Sequence, residues 1–168
     1  MLALLDRPAT SPFLILAASA GALGAAFIAQ YGFGLEPCVL CIYQRWPFAI
    51  VIVVAAAALL LVRGGRSPAW ALALAGLVFA ANAAIAGYHV GVEQHWWQGT
   101  AECTGTSGAA TLAELKAQIL AAPLVRCDEV AWSLFGVSMA GYNVLASAAL
   151  AAFSLAMAKR LNRPGEKP

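Results

Sequence analysis

Hydrophobic positions in this chain come in long unbroken blocks separated by short polar breaks, rather than alternating or keeping to one helical face. Residues 12–33 carry no charge and, as a helix rising ~1.5 Å per residue, extend about 33 Å, enough for the hydrocarbon core of a bilayer. A second block, 42–62, is uncharged after Arg45, and Pro47 falls in its first turns, where a missing backbone N–H is best tolerated. A third block covers 69–89, with Asn82 as its one strongly polar interior residue, and a fourth covers 132–158. Four such blocks predict an all-α, four-helix transmembrane bundle forming a single integral membrane domain over residues 1–168. A cleaved signal peptide is the competing reading of the first block, with small residues around Ala18-Ser19-Ala20. Against it, the basic lead is weak and the apolar stretch runs well past those residues.

The breaks are of three kinds. Residues 34–41 form a short connection containing Gly34 and Pro37, and Arg63-Gly64-Gly65-Arg66-Ser67-Pro68 is a tight polar turn. Residues 90–131 form the one long extramembrane segment. Within it Thr111-Leu112-Ala113-Glu114 has the form of a capping box. Leu112, Leu115, Ile119 and Leu120 then follow at helical spacing, which predicts a short amphipathic helix lying on the membrane surface.

Composition sharpens this picture. The 168 residues are 62% hydrophobic and 11% charged, against about 25% charged for a soluble domain. A net charge of +2 and the lack of a basic stripe with interleaved aromatics argue against a nucleic-acid partner. Arg7, Arg63, Arg66, Lys159, Arg160, Arg163 and Lys167 collect at one set of block ends. The other set has only Arg45, Lys116 and Arg126, against Glu36, Glu93, Glu102, Glu114, Asp128 and Glu129. The bias of basic residues toward the cytoplasm places both termini there and loops 34–41 and 90–131 outside. Trp46, Tyr88, Trp96, Trp97 and Trp132 then fall near the outer interface, as an aromatic belt would.

All four cysteines, Cys38, Cys41, Cys103 and Cys127, fall in the outer loops, which on a bacterial membrane face an oxidising compartment. Three readings compete. A zinc site needs two close pairs converging tetrahedrally, and Cys103 and Cys127 are far apart in sequence. Structural disulfides would explain a bridge closing the long loop, but a two-residue loop between Cys38 and Cys41 gains little from closure. Redox chemistry suits a CxxC pair at a helix mouth, where the helix N-terminus favours a thiolate. Arg45 lies four residues after Cys41, so its guanidinium can share a face with that thiol and lower its pKa; its bland role is an interfacial anchor. Four cysteines allow three pairings, and spacing does not choose among them. With no nucleotide fingerprint of the GxGxxG type and no histidine pair in the spans, the remaining electron acceptor is one dissolved in the membrane, a quinone.

Pro37-Cys38-Val39-Leu40-Cys41-Ile42-Tyr43-Gln44-Arg45, four spans and a second cysteine pair in a long outer loop resemble the DsbB family of disulfide bond formation proteins. So does the stretch from Cys127 through Trp132-Ser133-Leu134-Phe135-Gly136-Val137-Ser138-Met139. The resemblance implies a protein-thiol:quinone oxidoreductase of the bacterial inner membrane, its cysteine loops in the periplasm. A reduced thioredoxin-like partner (DsbA in the family) would attack a Cys103–Cys127 disulfide at Cys103. Electrons would pass to Cys38–Cys41 and from Cys41 to ubiquinone or menaquinone, with Arg45 stabilising the thiolate and the quinone. Residues 105–108, rich in Gly, Ser and Thr, would supply loop movement. His89 would hydrogen-bond a quinone carbonyl and Met139 would pack on the ring, though an interfacial histidine and ordinary core packing are their plainer roles. Gln44 stands where relatives often carry glutamate, and His95 matches no family role. Two alternatives remain open: a membrane scaffold with structural disulfides, and a vitamin K epoxide reductase-like thiol–quinone enzyme. The latter group usually carries its CxxC late in the chain and its loop pair early, the reverse of the order here.

Overall fold

The computed structural model describes residues 7–104, 111–121 and 125–162. The 105–108 link and the basic tail residues Arg163 and Lys167 lie outside them. Helix α1 (Thr10–Phe27) continues through a π-helical turn (Ile28–Gly32) and ends just before Gly34, whose φ of 68° is left-handed. Next come a short α2 (Val39–Tyr43), α3 (Arg45–Arg63), α4 (Ala69–Glu93), the single turn α5 (Ala101–Thr104) and α6 (Leu112–Ala121). A two-residue antiparallel ladder, β1 (Ser133–Leu134) with β2 (Val137–Ser138), leads into α7 (Met139–Leu161). Among the described residues, four helical stretches are long and apolar enough to cross a membrane: Thr10–Gly32, Val39–Arg63, Ala69–Glu93 and Met139–Leu161. The chain is a multi-pass membrane protein.

Two boundaries differ from the sequence pattern for local reasons. The last long helix begins at Met139, not near Trp132, because Phe135 and Gly136 take positive φ and turn the chain into a hairpin. Ser138 then caps the helix, its Oγ accepting from the Gly141 N–H at 3.1 Å. The second begins at Val39, not 42, because Cys38 adopts extended backbone and caps the turn with its own sulfur. Thr111 and Glu114 exchange the two hydrogen bonds of a capping box at the start of α6.

The helices pack in the order α1–α3–α4–α7, with the most extensive contact between α4 and α7 and only a slight one between α7 and α1. Ile15, Phe48, Val51, Ala55, Leu72, Ala75, Phe79 and Ala151 form the main core, and Phe48 meets Phe79 edge-on at 5.9 Å. Gly76 lets α7 approach: a Cβ there would lie 2.6 Å from Leu155 Cγ. Phe13, Val53, Leu77 and Leu145 point outward, an arrangement suited to lipid rather than water. A second cluster of Cys38, Leu40, Val92, Cys103 and Cys127 sits at the mouth of the bundle.

Candidate active site

Every cysteine meets at this mouth. Cys103 and Cys127 are joined in a disulfide, and both are fully buried. The Cys127 N–H donates to the Cys103 carbonyl at 3.1 Å, fastening the two loop segments side by side. Cys38 and Cys41 are free thiols whose sulfurs share a hydrogen bond at 2.9 Å. Cys38 Sγ, His89 and Cys127 Sγ place their ligating atoms within 4.8 Å of one another. Cys127 is held in its disulfide, so this arrangement brings the two cysteine pairs together more readily than it forms a metal site.

Cys38 is the better thiolate of the pair. Its sulfur accepts the Cys41 N–H at 3.3 Å and faces His89 Nε2 at 3.5 Å. The hydrogen bond with Cys41, then those with His89, outweigh burial and hold its thiol far below the ordinary range, at about 4. The sequence pattern instead gave the favoured thiolate to Cys41 with Arg45 as its cation. The contacts of Arg45 run elsewhere: Nη1 donates to Gln30 Oε1 at 2.7 Å and the guanidinium stacks on Phe27 at 5.2 Å. Because α1 ends in a π-helical turn, Gln30 is in position to take that hydrogen bond.

Beside the cysteines opens a cavity of about 490 Å³, between α1 and α7 where those helices barely touch. Small residues on α1 (Ala22, Ala25, Ala26 and Ala29) leave the space, and Cys38, Cys41, Arg45, His89 and Met139 reach it from the other elements. A mostly apolar hollow of this size with a few polar groups at one end suits a small planar ligand. The structure thus brings all the sequence-predicted site residues to one region, with Cys103 and Cys127 behind Cys38 and the other five on the cavity.

It adds residues to which the sequence reading gave no part in the site. Gln44 is buried, with Nε2 2.9 Å from His89 Nδ1 and Oε1 accepting from Asn143 Nδ2 at 2.5 Å. Glu93 is buried, takes the Ser138 hydroxyl at 2.5 Å and comes within 3.9 Å of His89 Nε2. The available signal was a glutamine inside the second apolar block and a carboxylate just past the end of the third. His95 is exposed. On the loop, Arg126 pairs with Asp128 at 2.5 Å and holds that carboxyl below its usual range. Trp97 stacks on Tyr88 and lies so close to Gly91 that a Cβ there would overlap its ring, which fixes the loop's departure from α4.

Comparison with known proteins agrees with this geometry. The profile of the family "Disulfide bond formation protein DsbB" matches residues 8–157. The "Disulfide bond formation protein B" of Aromatoleum aromaticum is 30% identical over 159 residues, covering 87% of this chain and 89% of the relative. The "Disulfide bond formation protein B 2" of Pseudomonas syringae pv. syringae is 31% identical over 153 residues, covering 85% and 83%. An uncharacterized Rickettsia prowazekii protein is 27% identical over 151 residues, covering 88% and 86%. No solved structure matches. With four membrane-spanning helices, two converging cysteine pairs and a profile match over nearly its whole length, the chain belongs to the DsbB family of disulfide bond formation oxidoreductases.

Proposed function

We propose that this protein is a thiol:quinone oxidoreductase of the bacterial inner membrane that reoxidises a periplasmic thioredoxin-like dithiol protein of the DsbA kind. The observation that carries the reading is Cys38 Sγ, an activated sulfur, within 4.8 Å of Cys127 Sγ on one side and lining an apolar cavity on the other. The bias of basic residues puts both termini in the cytoplasm and this mouth in the periplasm.

The partner's thiolate attacks Cys103, and its second thiol releases the partner as a disulfide. Two electrons and two protons have then left it, and Cys103 and Cys127 are thiols. Cys127 attacks Cys38 of an oxidised Cys38–Cys41 pair and displaces the Cys41 thiolate. Cys103 then attacks Cys127, re-forming the loop disulfide and releasing Cys38 as a thiolate. His89 and the Cys41 backbone N–H stabilise the charge on Cys38. Ubiquinone or menaquinone in the cavity would supply the two-electron, two-proton sink. Arg45, held by Gln30 and Phe27, would offer its cation to a quinone oxygen, Met139 would face the ring with its thioether, and Cys41 would be the exit for the electron pair as the Cys38–Cys41 bond re-forms.

The test is quinone reduction by purified protein supplied with a reduced thioredoxin-like dithiol protein. Loss of quinone absorbance that disappears in Cys41→Ser is the expected result. No reduction of ubiquinone or menaquinone by protein with intact loop disulfide would return the cysteines to a structural role.

A further inference from the structure

We propose that a chain of amide side chains, Asn82–Asn143–Gln44, holds His89 as the neutral tautomer protonated at Nε2, making it a fixed hydrogen-bond donor to Cys38. The inference deepens the proposed exchange at Cys38 and rests on that reading for its role in the reaction.

Both ends of the chain set its direction. At the outer end, His89 Nε2 faces Cys38 Sγ at 3.5 Å and Glu93 Oε1 at 3.9 Å. A thiolate and a carboxylate only accept, so the nitrogen between them carries the hydrogen. A neutral ring then has its lone pair on Nδ1, which needs a donor, and the Gln44 amide nitrogen stands 2.9 Å away. Gln44 Oε1 is thereby turned to Asn143, whose Nδ2 donates to it. Asn143 Oδ1 in turn accepts from Ser147 Oγ at 2.9 Å and from Asn82 Nδ2 at 3.3 Å, and Asn82 Nδ2 also donates to Ser147 Oγ at 2.9 Å.

At the inner end, Asn82 Oδ1 is buried with no partner among the described residues. Reversing every amide would satisfy that oxygen but leave the Asn82 NH2 buried with nothing to accept its hydrogens. Orphaned buried N–H groups are rarer and costlier than an under-used carbonyl. The two ends therefore select the same direction. Gln44, Asn143 and Asn82 act through His89, as positioning residues. The identity of Gln44 matters here: a carboxylate in its place would accept from Nδ1–H and draw a second proton onto the ring.

Nitrogen NMR of the histidine ring in the full-length, detergent-solubilised protein, treated with reductant so that Cys38 and Cys41 are thiols, reads the tautomer directly. The chain has two histidines, so His95→Gln leaves a single ring to observe. The expected signature at neutral pH is a proton on Nε2 and a bare Nδ1. Asn143→Asp can only accept from Gln44, so it turns the Gln44 oxygen to His89 and adds a proton at Nδ1, while Nε2 keeps its own between Cys38 and Glu93. If that variant does not accumulate, Gln44→Glu imposes the same demand. A proton on Nδ1 in the parent, or an unchanged ring in the variant that folds, overturns the proposal. The spectra need neither quinone nor partner. An Nε2–H ring in a protein that reduces no quinone would therefore sink the oxidoreductase reading and leave the tautomer assignment standing.

Discussion

A thiol held near 4 leaves a kinetic signature that an ordinary cysteine does not have. With its midpoint at about 4, Cys38 is roughly 90% thiolate at pH 5 and wholly thiolate at pH 8. Its alkylation rate should rise only about 1.1-fold across that interval. A thiol titrating near 8.5 gains about tenfold per pH unit, several hundredfold in all. The absolute rate is less informative, because a low-pKa thiolate is also a weaker nucleophile and burial slows the reagent. The flatness of the profile is the observable. Besides Cys41 and His89, the charged or titratable groups around the same cavity are Glu36, Arg45, Glu93, Arg126, Glu129 and Tyr142. The assay is iodoacetamide labelling of the reduced protein, with each cysteine quantified by fragmentation mass spectrometry, so that Cys103 and Cys127 provide the internal reference. Cys41→Ala should restore most of the slope and His89→Phe a smaller part, following the order of their hydrogen bonds to Cys38. A Cys38 profile that climbs in parallel with the loop cysteines would refute the assignment of the thiolate to Cys38.

Arg45→Ala should raise the KM for quinone about tenfold, the loss of one charge-assisted hydrogen bond of roughly 1.5 kcal/mol, with Arg45→Lys intermediate in steady-state assays. Gly76→Leu should destabilise the bundle by about 1–3 kcal/mol, since the new side chain must displace Leu155 on α7, and a lower midpoint in thermal unfolding in detergent would show it. Cys103→Ser should cost about 3 kcal/mol from opening a loop of sequence separation 24, and it should abolish oxidation of the partner. Unfolding of the parent with and without reductant measures the first effect, and the partner's redox state in the periplasm measures the second.

The membrane helices were legible because a bilayer asks for length and uniform apolarity, and both are local properties of sequence. The CxxC pair was legible for a similar reason, since its spacing is local. The polarity of the pair was not. Which sulfur becomes the thiolate depends on Cys38 taking the capping position and on His89 arriving from α4, fifty-one residues away. The direction of Arg45 was not legible either, because its spacing from Cys41 says where the side chain can point, whereas Phe27 on α1 and Gln30 in the π-helical turn decide where it does. Gln44, between α2 and α3, and Asn143 on α7 lie ninety-nine residues apart and gain meaning only when the fold brings them together. The hairpin before Met139 was hidden because Trp132, Leu134 and Phe135 are as apolar as the helix they precede.

The burial of the loop disulfide bears on which thiols can reach it. Both sulfurs are shut away from solvent, packed with Leu40, Val92 and Val125, and exchange requires a thiolate to approach along the S–S axis. Small thiols in the surroundings therefore collide with a closed surface, and their reaction is limited by how often the loop opens unaided. A protein partner can draw on its own binding energy to lift the cover. Discrimination between the proper electron donor and the background of stray reductants then resides in access, and it holds even where the redox potentials of the two are alike.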